Sequence, residues 1–328
     1  MNEKDIVIGI DLGGTTTKFG MYTSEGTCLE TWTIPTDTNE AGKQIVPNMC
    51  KSILSTLVDK NYTSKQLLGI GIGAPGVVSQ EEGTVKNAFN LGWAKTQDIR
   101  KTFQQYDLDV PLYLTNDANC AAYGEASVSH ASNIVFITLG TGVGGGVVIN
   151  NSILTGTANS AGEIGHLHSS LNYGFTCTCG NENCLETVAS ATGIVNVAYV
   201  ESKTFMEDSK LQKAIENDEE ITAKLVFDLV KENDKLACKG VDVITYDLGV
   251  ACANIANIVN PESVIIGGGV SQAGNILLHK IVSVFEKVAF PLVRQSTDIK
   301  LATLGNDAGI TGAAQMVIQG EAKYDENF

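Results

Sequence analysis

Three groups of residues in this chain have the types and spacing to do chemistry. The first is Gly162-Glu163-Ile164-Gly165-His166, followed by Cys177-Thr178-Cys179-Gly180 and Cys184-Leu185-Glu186. One histidine with three cysteines makes a Cys3His zinc set; four protein ligands leave no open position, so the metal is structural. His166 and His168 are both within reach, and spacing alone leaves that choice open. The other five cysteines, Cys28, Cys50, Cys120, Cys238 and Cys252, are scattered among apolar neighbours. They read as small core residues rather than a disulfide framework.

The second group is three glycine turns, each following an apolar strand: Gly13-Gly14-Thr15, Gly140-Thr141-Gly142 and Gly267-Gly268-Gly269. Backbone N–H groups and hydroxyls at strand ends can cradle phosphates without a Walker lysine, and glycine lets the backbone come close to the anion. Gly71–Gly76 and Gly140–Gly145 match G-x-G-x-x-G formally, but Val147-Val148-Ile149 continues as strand where the dinucleotide fingerprint needs a helix. No G-x-x-x-x-G-K-[ST] occurs either. Asp11, at the mouth of the first turn, offers the hard carboxylate oxygen that Mg²⁺ prefers. The third group is Asn116-Asp117-Ala118-Asn119, which ends a strand and opens a helix. Asp117 is there either as a helix N-cap or as a carboxylate at a strand's carboxyl end, where α/β proteins place their chemistry.

The elements that must position these groups alternate between strand and helix, an α/β pattern. Strands are expected at Asp5–Ile10, Lys18–Tyr22, Cys28–Ile34, Leu67–Ile72, Pro111–Thr115, Asn133–Leu139, Val147–Asn150, Ser263–Ile266 and Ile299–Leu304. Helices are expected near Glu40–Lys60 (with Pro47 as a flaw), Thr96–Tyr106, Asn116–Glu125, Glu219–Asn233, Asp242–Val259, Asn275–Val288 and Ala308–Gln319. The strand–glycine-turn–strand opening recurs about 130 positions on, far beyond the ~20–50-residue period of a solenoid, which suggests two related domain cores.

At 328 residues the chain is long enough for two domains of about 150 each. Its 22 Lys+Arg against 37 Asp+Glu leave a net charge of −15, which argues against nucleic-acid binding. There is no basic segment leading into an apolar stretch at the start, and no run of about 18 apolar residues, so no signal peptide or membrane span is expected and the location reads as cytoplasmic.

Taken together, the motifs resemble the ROK family of the actin-like sugar-kinase superfamily over essentially the whole chain. The resemblance rests on Asp11-Leu12-Gly13-Gly14-Thr15 with Lys18, Gly73-Ala74-Pro75-Gly76, Asn116-Asp117-Ala118-Asn119, Leu139 to Gly146, Gly162 to His166, and the cysteine cluster. The run Cys184-Leu185-Glu186-Thr187-Val188-Ala189-Ser190-Ala191-Thr192-Gly193, with Leu304-Gly305-Asn306-Asp307-Ala308-Gly309, is most similar to the glucokinases of Gram-positive bacteria within that family.

That resemblance implies two ribonuclease-H-like domains with an active-site cleft between them: residues 1–117 plus about 306–328 as the smaller, 118–305 as the larger with the zinc loop. It implies ATP-dependent phosphorylation of D-glucose with Mg²⁺ and a structural Zn²⁺. Asp11, Gly13, Gly14, Thr15 and Lys18 would form one phosphate loop, Thr141 and Gly142 the other, and Gly267, Gly268 and Gly269 would line the nucleotide side. Asn116, Asp117, Glu163, His166 and Glu186 would hold the sugar, with Asp117 as general base; His166, Cys177, Cys179 and Cys184 would bind zinc. A homodimer or homotetramer is expected. Leu167-His168-Ser169-Ser170 departs from the more apolar, threonine-bearing stretch of the family. Rival readings are a ROK kinase for fructose, mannose, N-acetylglucosamine or N-acetylmannosamine, an actin-like ATPase, and a ROK repressor, for which no DNA-binding arm precedes Asp11.

Overall fold

The computed structural model describes residues 5–320. A first sheet has the order β3-β2-β1-β4-β8, built from β1 (Ile6–Leu12), β2 (Thr16–Thr23), β3 (Cys28–Pro35), β4 (Leu67–Ala74) and β8 (Leu112–Asn116). β1, β2 and β3 are antiparallel neighbours, whereas β4 runs parallel to both β1 and β8. A second sheet repeats the plan in the order β11-β10-β9-β12-β13, from β9 (Ile134–Leu139), β10 (Val143–Ile149), β11 (Ser152–Ile153), β12 (Ser263–Gly267) and β13 (Asp298–Leu301). In each, a glycine-turn hairpin leads into parallel strands, so the repeat visible in the sequence is a repeat of architecture. A small third sheet, β5 (Val77–Ser79), β6 (Thr84–Lys86) and β7 (Gln97–Asp98), was not expected, because strands this short carry no periodicity.

β1 reads Ile-Val-Ile-Gly-Ile-Asp-Leu and is buried almost throughout, as a central strand covered on both faces must be. Ile6, Ile8, Ile10 and Leu12 pack with Met49, Ile53, Leu57, Trp93 and Phe103. Val7 on the opposite face meets Ala314 and Val317 of the final helix, Ala308–Ile318. That helix lies close because β1 and β4 offer it no side chains: a Cβ on Gly9 would sit 2.1 Å from the Ile310 carbonyl oxygen, and one on Gly71 1.9 Å from that of Ala313. The same helix packs on Asp117–Ser129 through Gly312, whose Cβ would fall 1.7 Å from the Cys120 oxygen.

Several boundaries differ from the sequence expectation. The first long helix starts at Ile45, which puts Pro47 in the first turn, where a missing N–H leaves no bond unmade. β10 begins at Val143, four residues ahead of the expected strand, so Gly144, Gly145 and Gly146 are strand and only Gly140-Thr141-Gly142 is turn. The helices Glu186–Ala189, Ala191–Ser202 and Lys210–Glu216 were not foreseen. The described residues fall into two compact units, one of 5–132, 146–161 and 306–320, the other of 133–145 and 162–305. Residues 118–132 and 146–161 thus group with the first unit rather than the second, because the helix Asp117–Ser129 is wedded to the final helix. No described helix is long and apolar enough to cross a membrane.

Gly312→Ala should lower the unfolding free energy by at least about 1–3 kcal/mol, as forced overpacking does. Denaturant melting against wild type checks this; an unchanged midpoint would show that the helix pair is not held at this separation.

Candidate active site

In the first unit, sheet register lays the candidate residues in one row. Lys18 pairs with Asp11, Asp11 with Gly73, and Gly73 with Thr115. The row crosses the carboxyl ends of the parallel strands, and Asp117 follows at the start of its helix. Asp117 is not the N-cap, however. Asn116 is, its side chain accepting the Ala118 N–H at 2.9 Å, and Asp117 Oδ1 accepts the same N–H at 2.8 Å. Burial pushes the Asp117 carboxyl above the usual carboxylate range, against the pull of that N–H. Burial likewise raises Asp11 to about 6, with the nearby Asp117 charge adding to the rise and Lys18 opposing it. Gly309 of the final helix makes the room: a Cβ there would sit 2.7 Å from Asp11 Cγ. Two carboxylates crowded this way suit a divalent cation arriving with a phosphate ligand.

The first glycine turn is braced by residues that sequence reasoning missed. Thr36 Oγ1 donates to the Gly13 oxygen at 2.8 Å and pairs with Thr17 Oγ1 at 2.9 Å, while the Thr36 N–H donates to the Thr15 oxygen. Asn90 faces Gly14. Lys18 Nζ holds the Asp307 carboxylate and donates to the Asn306 oxygen at 3.0 Å. Asp307 lay in a motif read from the sequence but carried no role there.

In the second unit, a cavity of about 440 Å³ is lined by Gly140, Thr141, Ala191, Gly269, Val270 and one face of the helix Ala223–Lys231, among others. That volume is in the range of small-molecule sites. Phe227 and the alanines give it apolar walls; Lys224 and Lys231 both pair with Asp228, pulling that carboxyl down to about 2. The helix was expected, but not as a pocket wall. The glycines divide into two kinds. Gly267 abuts the Phe136 ring, and Gly268 (φ +80°) lies on the Leu139 backbone, so the fold needs both. A Cβ on Gly140 or Gly269 would meet nothing within 4 Å, so the fold needs neither. Gly142 is turned away from the cavity lining and packs on Glu186, whose Oε2 accepts the Val143 N–H at 3.0 Å.

The metal-type cluster assembles as expected, with His166 and not His168. One ligand atom from each of His166, Cys177, Cys179 and Cys184 lies within 4.8 Å of all the others. His166 Nδ1 is 3.6 Å from Cys177 Sγ, and Cys179 Sγ is 3.6 Å from Cys184 Sγ. A tetrahedral zinc with bonds of about 2.3 Å spaces its sulfurs about 3.8 Å apart, so the donors fit that ion. His168 instead pairs its backbone with Cys184. His166 Nε2 faces Glu163 Oε2 at 3.8 Å, and Glu186 Oε1 accepts from Thr178 Oγ1 at 3.3 Å.

Residues 7–320 match the model of the ROK family. The chain belongs to the ROK family. It is 41% identical to a glucokinase of Halalkalibacterium halodurans over 97% of both chains. It is 33% identical to a xylose repressor of Caldicellulosiruptor bescii, over 84% of this chain and 69% of that one. A ROK family glucokinase from Streptomyces griseus, solved with glucose and AMPPNP, superposes with a TM-score of 0.74 at 29% identity, covering 96% of this chain and all of that one. The fold of this ROK protein is therefore the mixed α/β fold of its sugar-kinase relatives.

For this ROK protein the two idle glycines carry a prediction. Gly140→Ala and Gly269→Ala should leave stability unchanged or raise it by up to about 1 kcal/mol, while weakening the binding of a nucleotide that uses the cavity. Thermal melts paired with titration calorimetry test it, and an unaltered nucleotide Kd in both variants would refute the assignment.

Proposed function

We propose that the protein is an ATP-dependent glucokinase that transfers the γ-phosphoryl group to the 6-hydroxyl of D-glucose. The observation that carries the reading is the pair Asp11 and Asp117: two half-buried carboxylates at the strand ends, both held above the ordinary aspartate range by desolvation. The glucokinase relatives at 41% and 29% identity supply the substrate.

Asp117 is the general base. Ionised, it is acceptor-only, and its raised pKa makes it a better proton acceptor than an exposed aspartate. Asp11 and the turn Gly13-Gly14-Thr15 serve the phosphate side, where Asp11 would hold a Mg²⁺ brought with ATP, which would supply charge neutralisation for the phosphoryl group. Lys18 is held by Asp307 in this structure; its phosphate role requires exchanging that partner for the nucleotide. In the second unit the cavity beside Thr141 and Gly269 takes the nucleoside, and Glu163, His166 and Glu186 bind sugar hydroxyls; in the first unit Asn116, next to Asp117, is a sugar-binding residue. Zinc on His166, Cys177, Cys179 and Cys184 would pin the loop carrying these groups. Because Glu186 accepts from both Thr178 in this loop and Val143 beside the Gly140–Gly142 turn, a metal held there would steady that turn as well as the sugar-binding loop.

Asp117→Asn keeps the acceptor for the Ala118 N–H and leaves the Asn116 cap untouched, so the helix should survive. Turnover should fall about 10²–10⁴-fold with glucose affinity little changed. In wild type, kcat/KM should drop as pH falls through about 6, where Asp11 gains its proton. Near-wild-type turnover of Asp117→Asn would remove the base. A panel of hexoses with a coupled assay tests the sugar; higher kcat/KM for an N-acetylated hexose would reassign it.

Elemental analysis should find about one zinc per chain, lost in Cys179→Ser together with thermal stability. Full activity of metal-free protein would exclude the metal's organising role.

A further inference from the structure

Asp247 sits in the middle of the helix Lys235–Val259 and is 3% exposed. Its Oδ1 accepts from both the backbone N–H of Ser170 at 2.9 Å and Ser170 Oγ at 2.7 Å. Its Oδ2 is buried and has no hydrogen-bond partner among the described residues. A buried carboxylate with one oxygen bare is expensive, and an apolar residue would pack there more cheaply. Its position is firm, because Gly249, two residues on, lets the helix lie against Val284 and the Ile281 oxygen.

What Asp247 holds is the segment that carries the metal-type ligands. The Leu185 N–H donates to the Leu167 oxygen at 2.7 Å, the Ser169 N–H donates to the Asn183 oxygen at 2.7 Å, and His168 pairs with Cys184 between them. Residues 167–169 thus form a short ladder with 183–185, ending at His166 on one side and at Cys184 and Glu186 on the other. Ser170 is the next residue along that ladder. A second tie joins the same loop to the helices: Tyr173 Oη donates to Glu201 Oε1 at 2.5 Å, and Lys239 pairs with Glu201.

We infer that Asp247 is a positioning residue for the sugar-binding, metal-holding loop, acting through Ser170 without touching substrate or metal. The inference rests on the reading of this loop given above. It also gives Ser170, in the stretch that departs from the family pattern, a job: its hydroxyl and N–H fasten the ladder to the helix behind it.

The test compares wild type, Asp247→Asn, Asp247→Ala and Ser170→Ala. Asp247→Asn keeps an oxygen for both Ser170 donors and should behave like wild type. Asp247→Ala should release zinc to a chromogenic chelator about tenfold faster, the low end of the effect of losing an orienting partner. It should raise glucose KM about tenfold while leaving ATP KM within about twofold, and Ser170→Ala should fall between. Amide hydrogen exchange reads the tether without metal or substrate: residues 167–185 should exchange faster in both alanine variants, the helix Lys235–Val259 unchanged. Were Asp247→Ala not to fold, Ser170→Ala carries the same readings. Unchanged exchange of residues 167–185, or glucose and ATP KM rising together, would overturn the inference. Faster exchange in a protein found to hold no zinc would support the tether while refuting the metal, so the two claims fail separately.

Discussion

Asp11 and Asp117 are two like charges held near each other, half-buried at the strand ends of the first unit, where the charge of Asp117 adds to the cost of ionising Asp11. Left alone, each would favour its neutral acid. The structure offers partial relief: backbone N–H groups, that of Ala118 foremost, beside Asp117, and Lys18, itself engaged by Asp307, beside Asp11. The unrelieved remainder holds both carboxyls above the ordinary aspartate range. Under the function proposed above, the same crowding would favour a cation beside Asp11 and a proton on Asp117. Gly309 permits it, because any side chain there would displace Asp11.

Glycine does two different jobs in this chain, and they separate cleanly by what a Cβ would strike. Gly9, Gly71, Gly124 and Gly312 let backbones approach within the first unit; a Cβ on Gly124 would lie 2.4 Å from the Ala308 oxygen. Their role is packing, and they stand far from any turn. Gly140 and Gly269 line a cavity and block nothing. An unneeded glycine gives up backbone entropy for no contact, so its use lies with what enters the cavity.

The strands and turns were legible in the sequence because glycine turns punctuate β-branched runs and because the hairpin pattern occurs twice. The metal-type set was legible in type, though only the fold chooses His166 over His168. Asp117 was legible as a carboxylate at a strand's carboxyl end, and its capping alternative dissolves once Asn116 is seen in that place. What stayed hidden depended on distant partners. Asp307 reaches Lys18 from 289 positions away, Thr36 braces a turn 23 positions upstream, and Ser170 finds Asp247 77 positions on. The pocket wall Ala223–Lys231 was recognisable as a helix, yet nothing in its spacing tells which face lines a cavity.

Glu186 joins the metal-type knuckle to the Gly140–Gly142 turn within the second unit. Its two oxygens point at different neighbours, Oε2 at the Val143 N–H beside the phosphate turn and Oε1 at Thr178 in the cysteine turn. Thr178 lies between two metal-type ligands, so the carboxylate cannot shift without disturbing either the turn or the knuckle. The close fit of Gly142 against Oε2 tightens the link further, since any larger residue would push the carboxylate away. Under the function proposed above, a sugar hydroxyl donating to Glu186 would share an oxygen with one of these donors. Such sharing would couple the sugar to the Gly140–Gly142 turn through a single side chain, with no longer pathway needed.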